Sequence, residues 1–267
     1  MTLRPQAVSL DGRWALVTGA ARGIGAATAT ALAAFGADVA ICDRDSEGLA
    51  AVAGEIADLG RHAVSGVFDV RSAPDVESFV ARLPRLDVLV NNAGGGFHAP
   101  FLEVSAKGQT ALVDENFTSV TTFIRACVPL LAEGGAGSII NVTSVEAFRA
   151  APGFGVYAAM KAAVEQLTKT LALELCDRGI RVNCIAPDAI PTPGDADLAA
   201  TVQAGSNAGD YGWKIPLGKG TPDDCAGVAV FLASDLSRFV TGSTIHTDGG
   251  SHAASGWRRR PGADWEP

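Results

Sequence analysis

Residues 14–25 read Trp14-Ala15-Leu16-Val17-Thr18-Gly19-Ala20-Ala21-Arg22-Gly23-Ile24-Gly25. A short apolar run stops at a glycine, two more glycines follow at 23 and 25, and an alanine-rich stretch then continues to Phe35. Trp14 to Thr18 has the length and composition of a buried strand, and Arg22 to Phe35 those of a helix. The glycines permit a tight turn and close approach to the backbone. The helix beyond them presents unpaired amides and the positive end of its dipole, an arrangement that receives a pyrophosphate. A glycine triplet alone also fits an ordinary tight turn. Its position between strand and helix makes it a dinucleotide loop, with Gly19, Arg22, Gly23, Ile24 and Gly25 as cofactor contacts.

The same alternation continues outward. Ala37 to Cys42 reads as a strand and Ser46 to Leu59 as a helix with Ser46 as N-cap. Ala63 to Phe68 is a strand, Pro74 to Leu83 a helix, and Leu86 to Val90 a strand. Ser138 to Val142 and Ile180 to Ile185 are strand-like, and the segments around Asn116 to Leu131 and Tyr157 to Cys176 are helical. Short β-branched runs alternating with helices mean βαβ units. The fold class is therefore α/β: a doubly wound parallel sheet of Rossmann type in a three-layer α/β/α sandwich, one domain over 1–267. Ligands of such sheets lie at the carboxyl ends of the strands.

Composition agrees and excludes other classes. The 267 residues are 48% hydrophobic and 19% charged, which suits one large core. A net charge of −8 makes a poor phosphate-backbone binder, so no nucleic acid partner is expected. No run reaches the ~18 apolar residues of a membrane span, and Met1 to Trp14 has no apolar stretch of signal-peptide type. The cysteines (Cys42, Cys127, Cys176, Cys184, Cys225) are odd in number and lack CxxC spacing. They read as reduced core thiols of a cytoplasmic protein. The four histidines form no HxxxH or Cys/His cluster, so no metal site is expected.

Two further patterns carry chemistry. Asp43 ends the second strand, 18 residues past Gly25. A carboxylate there accepts hydrogen bonds from the adenosine ribose hydroxyls and repels a 2′-phosphate, which favours NAD over NADP. A surface turn aspartate is the alternative. Arg44 follows directly and would accommodate a phosphate; the strand-end position gives Asp43 the greater weight. Tyr157-Ala-Ala-Met-Lys161 places Tyr157 and Lys161 on one helical face, with Ser144 thirteen residues upstream. Carbonyl reduction needs a proton donor beside the developing alkoxide, and alcohol oxidation needs the reverse. Lowering a tyrosine from about 10 by about 3 costs about 4 kcal/mol. A cation ~4 Å away at an effective dielectric of ~20 supplies about that much. Ser144 follows the strand Ile139 to Val142 and is suited to hydrogen-bond the substrate oxygen.

Taken together, these motifs resemble those of the short-chain dehydrogenases/reductases, of the type with a TGxxxGxG loop, from about Leu10 to Gly250. Thr18 to Gly25 resembles the cofactor loop, and Asp69-Val70 the pair that holds the adenine in that family. Asn91-Asn92-Ala93-Gly94 resembles the motif that supports the central sheet and lines the cofactor. Asn116 matches the family's fourth catalytic residue, which bends its helix and positions a water in a proton relay. Ser144, Tyr157 and Lys161 match the triad, and Asp248-Gly249-Gly250 the end of the last strand. The resemblance implies that Lys161 also binds the nicotinamide ribose and that hydride moves between nicotinamide C4 and the substrate carbon. Pro187, Ile190 and Thr192 align with contacts to the nicotinamide amide. Asp188 departs from the pattern, since the family usually has glycine after that proline; a different local turn is expected there.

The resemblance also implies a lid, here about 193–219 with Tyr211 and Trp213, that orders over substrate. Gly95 to His98, Glu146, Phe148 and Phe154 are candidate pocket positions. His98 reads as a pocket residue or a loop-surface histidine, and Glu146 as a substrate contact or a solvated carboxylate. The tail 251–267, with Trp257 to Arg260, either packs across an interface or over the site, or frays. The two long helices resemble the family's four-helix dimer interface, implying a homotetramer or homodimer. The expected activity is NAD(H)-dependent interconversion of a small-molecule alcohol and ketone: a steroid, a hydroxyacyl compound, or a cyclic or polyol alcohol. The alternative is a non-catalytic NAD(H)-binding sensor or scaffold, against which the presence of Tyr157, Lys161, Ser144 and Asn116 argues.

Overall fold

Strand side chains alternate between two faces, and here both faces are apolar. Ala15, Val17, Val39, Ile41, Val88, Val90, Ile140 and Ile185 point to one core, while Leu16, Ala40, Cys42, Leu89, Ile139, Val182 and Cys184 point to the other. A sheet buried on both faces needs a helical layer on each, and its strands run parallel. The computed structural model, which describes residues 4–188, 190–192, 215–258, 262, 264 and 266, has this arrangement. Seven parallel strands lie in the order β3-β2-β1-β4-β5-β6-β7. They are β1 (Trp14–Thr18), β2 (Asp38–Asp43), β3 (Ala63–Val67), β4 (Val88–Asn91), β5 (Ser138–Val142), β6 (Arg181–Pro187) and β7 (Thr244–Thr247).

Helices α1 (Gly23–Ala34), α2 (Ser46–Asp58) and α7 (Pro222–Ala233) cover the first core. Helices α3 (Ala73–Val80), α5 (Ser119–Glu133) and α6 (Gly155–Glu174) cover the second, and α4 (Ala106–Val113) precedes α5. Strand order reverses between β1 and β4, which opens the crevice where such sheets bind ligands.

Several expectations need correction. The N-cap of α2 is Asp45, not Ser46: Asp45 has extended dihedrals and its carboxylate accepts from Gly48 N (3.1 Å), while Ser46 is already inside the first turn. The helix expected around Asn116 is interrupted there, as the resemblance implies for a residue that bends its helix: residues 114–118 form a π-helical turn between α4 and α5. Periodicity alone does not reveal α7, which is apolar almost all round, or the partly exposed edge strand β7, whose end the resemblance places at Asp248-Gly249-Gly250. All five cysteines are free, and four are core thiols, but Cys176 is exposed at the end of α6.

The expected lid falls outside the described residues from 193 to 214, including Tyr211 and Trp213. The same holds for Arg259, Arg260, Trp265 and Pro267 of the tail; its described part pairs Arg258 with Glu266. Among the described residues, no helix is long and apolar enough to cross a membrane, and no group of three His, Cys, Asp or Glu side chains suits a metal.

Candidate active site

The carboxyl end of β1 is locked to that of β4. Thr18 Oγ1 accepts hydrogen bonds from the backbone N–H groups of Asn92 (3.1 Å) and Ala93 (3.0 Å). Asn92 Nδ2 returns bonds to the carbonyls of Thr18 (3.0 Å) and Gly19 (3.1 Å). The turn can close this tightly only without side chains. A Cβ on Gly25 would lie 2.1 Å from the Gly19 carbonyl oxygen, and one on Gly19 would lie 2.8 Å from Ala93 Cα. Helix α1 then starts at Gly23, and its N-cap, Arg22, places no side-chain oxygen on the first amides. An acceptor from outside the chain is therefore the natural partner for the N–H groups of Gly23, Ile24 and Gly25.

Asp43 stands at the end of β2, beside this turn. Its Oδ2 accepts from Ala21 N (3.1 Å) and its Oδ1 from Asp45 N (3.1 Å), so the carboxylate is held by two backbone bonds with acceptor capacity left over. Arg44 is exposed. On the neighbouring β3 end, Asp69 forms a forked pair with Arg71, which holds its carboxyl down at about 2; Val70 next to it is buried.

Lys161 and Tyr157 project from the first turns of α6. Lys161 is 4% exposed, and its Nζ donates to the Val142 carbonyl (3.0 Å) at the end of β5. Burial, the dominant cause, lowers the ammonium from its ordinary 10.5 to about 8. The Nζ lies 5.6 Å from the centre of the Tyr157 ring. Thr143, which the sequence reading passed over, donates from Oγ1 to the Lys161 carbonyl (2.7 Å) and so ties α6 to the β5 end beside Ser144. Ser144 is itself buried and accepts from Glu146 N (3.2 Å).

Glycines let the β4 loop lie against this face. A Cβ on Gly94 would fall 3.0 Å from Lys161 Nζ and 2.9 Å from Asn116 Oδ1, and one on Gly96 would fall 3.3 Å from Tyr157 Cδ2. Lys161, Asn116 and Tyr157 thus converge on residues 94–96. Asn116 is fully buried in the π turn. Its Nδ2 donates to the carbonyls of Gly95 (2.8 Å) and Leu112 (2.9 Å), and its Oδ1 accepts from Gly95 N (3.2 Å). Widening the helix frees the Leu112 carbonyl, and the side chain takes it up.

Pro187, the last residue of β6, is buried in register with Thr247, and Ile190 beyond it is buried. Thr192 reaches back to the glycine loop: its Cγ2 lies 3.0 Å from where a Gly23 Cβ would be. Asp188 does not take a positive φ, so the chain follows a path open to any residue. Its N–H continues the β6–β7 ladder to Thr247 O (3.3 Å). Among the pocket candidates, His98 is exposed and packs edge-on against Phe154, as a loop-surface histidine does. Glu146 is paired with Arg149 (2.8 Å). Phe148 packs against His246 and His252.

Comparison with known proteins fits this geometry. A family model described as enoyl-(acyl carrier protein) reductase matches residues 19–252. A 3-oxoacyl-[acyl-carrier-protein] reductase of Synechocystis is 39% identical, over 91% of this chain and 98% of that protein. The crystal structure of a gluconate 5-dehydrogenase from Burkholderia cenocepacia with NADP and tartrate superimposes with a TM-score of 0.85 at 36% identity, covering 93% of this chain and 98% of that one. Carveol dehydrogenase from Mycobacterium avium with NAD gives a TM-score of 0.84 at 32% identity, covering 91% and 98%.

Proposed function

The chain belongs to the short-chain dehydrogenase/reductase family, and from that premise we propose that it interconverts a secondary alcohol and a ketone with NAD(H), using Tyr157 as acid/base. That it is an oxidoreductase of CH–OH groups with a nicotinamide dinucleotide follows from the family. The observation that carries the finer reading is the convergence of Tyr157, Lys161 and Asn116 on residues 94–96, next to Ser144.

The chain fits a dinucleotide: the cradle at Gly19, Gly23 and Gly25 is one that a Cβ would fill. In this reading Gly19, Arg22, Gly23, Ile24 and Gly25 hold the pyrophosphate side, and Asp43, Asp69 and Val70 the adenosine side. Asn92, Ala93, Gly94, Pro187, Ile190 and Thr192 line the nicotinamide side, and Lys161 reaches the ribose. Asp43, anchored at a strand end by two backbone bonds, supports NAD over NADP. The nicotinamide supplies or accepts the hydride when bound.

The proton work falls to the protein. Tyr157 Oη gives a proton to the carbonyl oxygen in reduction and takes one from the hydroxyl in oxidation. Lys161 favours the phenolate: 5.6 Å from the ring centre, its charge is worth about 3 kcal/mol at an effective dielectric of ~20. Ser144 Oγ hydrogen-bonds the substrate oxygen at the β5 end. Asn116 commits both N–H donors to carbonyls, so it acts as a positioning residue that fastens the 94–96 loop over Lys161. The four-helix resemblance supports a homotetramer or homodimer.

Tyr157→Phe tests the reading. It should bind NADH as the parent does, by fluorescence titration, and lose turnover against a panel of secondary alcohols and ketones. Unchanged turnover refutes the role of Tyr157. Absence of turnover in the parent across the panel favours the sensor.

A further inference from the structure

Asp188 stands where the sequence departs from its family's usual glycine, and one oxygen of its carboxylate takes donors from two different loops. The side chain is 7% exposed. Its Oδ2 accepts from Arg149 Nη2 (3.2 Å) and from Ser251 Oγ (2.5 Å). Arg149 lies five residues past Ser144 in the loop after β5, and Glu146 Oε1 (2.8 Å) steadies the same Nη2. Ser251 follows Asp248-Gly249-Gly250 in the loop after β7. Its proton goes to Asp188, because Asp248 Oδ2 is farther off (3.4 Å) and already accepts from His252 N (2.7 Å). One buried carboxylate thus joins the loops at three neighbouring strand ends. A buried carboxylate needs a cation and donors to offset its desolvation, and Arg149 and Ser251 supply them.

The segment held in this way spans the cleft. It leaves the sheet at Pro187, next to the β5 end that carries Ser144, and by Thr192 it touches Gly23 at the start of α1. A dinucleotide with its pyrophosphate on α1 and its reacting ring beside Ser144 and Tyr157 must pass Pro187, Ile190 and Thr192 with its nicotinamide half. We propose that Asp188 is a positioning residue for that half: through Arg149 and Ser251 it fixes Pro187, Ile190 and Thr192 at the spacing the nicotinamide end requires, while the adenosine end binds independently of it. The inference rests on the proposed cofactor site.

Binding of two probes separates the possibilities. NADH carries both halves of the dinucleotide, and ADP-ribose lacks the nicotinamide. In Asp188→Asn, which keeps the shape and removes the charge, calorimetry should show NADH binding ~10-fold more weakly, the scale of one lost charge-assisted bond, with ADP-ribose changed by less than about twofold. Ser251→Ala should do the same to a smaller degree, and serves if Asp188→Asn does not fold. Arg149→Gln combined with Asp188→Asn should weaken NADH no further than the worse single variant, since both remove one interaction. Equal weakening of both probes, or no weakening of NADH in either single variant, overturns the proposal. If the parent protein binds neither probe, the cofactor site itself is wrong and this inference falls with it.

Discussion

Replacing Lys161 by methionine removes a buried charge while keeping most of the side chain's length, and the structure sets the size of two opposite effects. The first concerns Tyr157. A cation 5.6 Å from the ring centre is worth about 3 kcal/mol at an effective dielectric of ~20, on the order of 100-fold in phenolate population. Alcohol oxidation near neutral pH should therefore fall by about that factor. The chain has two tyrosines, so in a Tyr211→Phe background the near-ultraviolet absorbance of tyrosinate reports Tyr157 alone. Its titration should move to higher pH in Lys161→Met. Superimposable titrations would refute the electrostatic role and leave Lys161 only a binding one. The second effect is on stability. The folded lysine sits at about 8 against an ordinary 10.5, so between those values the unfolded chain binds more protons and stability rises with pH. At pH 7 the buried ammonium is a cost of about 3 kcal/mol, since each tenfold in proton affinity is ~1.4 kcal/mol. The lost bond to Val142 offsets about 1 kcal/mol of that. Lys161→Met should thus unfold about 2 kcal/mol less readily at pH 7, with the gain fading from about pH 8 to 10.5. Denaturant titrations at several pH values measure it, and a less stable variant at pH 7 would contradict the assignment of a buried charge.

Two more perturbations probe the cofactor and loop assignments. Asp43→Asn keeps the shape beside Ala21 and Asp45 but removes the charge that disfavours a 2′-phosphate, so the NADH-to-NADPH affinity ratio should drop ~10-fold or more; a parent that prefers NADPH would refute the argument. Asn116→Ala leaves the buried Leu112 carbonyl and the part-buried N–H and C=O of Gly95 without their side-chain partner, which should cost about 2 kcal/mol in chemical unfolding; a loss under about 0.5 kcal/mol would show that the π turn holds itself.

The parts of this molecule legible from sequence are those set by neighbours along the chain. The glycine loop is local because a turn and a helix start occupy eight consecutive residues. The Tyr157–Lys161 pair is local because one helical turn separates them. Contacts made across the sheet left little trace. Asp188 meets Arg149 and Ser251 at sequence separations of 39 and 63, and before folding it reads only as a missing glycine. Thr143 looks like one more strand residue until α6 packs above it. Helical spacing gives no sign of the π turn at 114–118, and only the family resemblance implies a bend at Asn116; its purpose appears once Gly95 lies against it. Asp45 and Ser46 are hard to tell apart for a different reason: both residue types favour the N-cap, and only the extended backbone of Asp45 with its bond to Gly48 N decides between them.

The site also explains why Lys161 bonds a carbonyl and not a carboxylate. A carboxylate at hydrogen-bond distance would offset the burial of the ammonium, as Arg149 does for Asp188, but it would also cancel the field at Tyr157. The Val142 oxygen satisfies one N–H donor while adding no net charge, so the positive potential at the phenol survives. The cost of that choice is an ammonium held below its ordinary proton affinity, and it is borne by a sheet that buries apolar side chains on both faces. The packing agrees: a Cβ on Gly94 would meet Lys161 Nζ at 3.0 Å and Asn116 Oδ1 at 2.9 Å, so the loop can lie this close to the ammonium only without a side chain there.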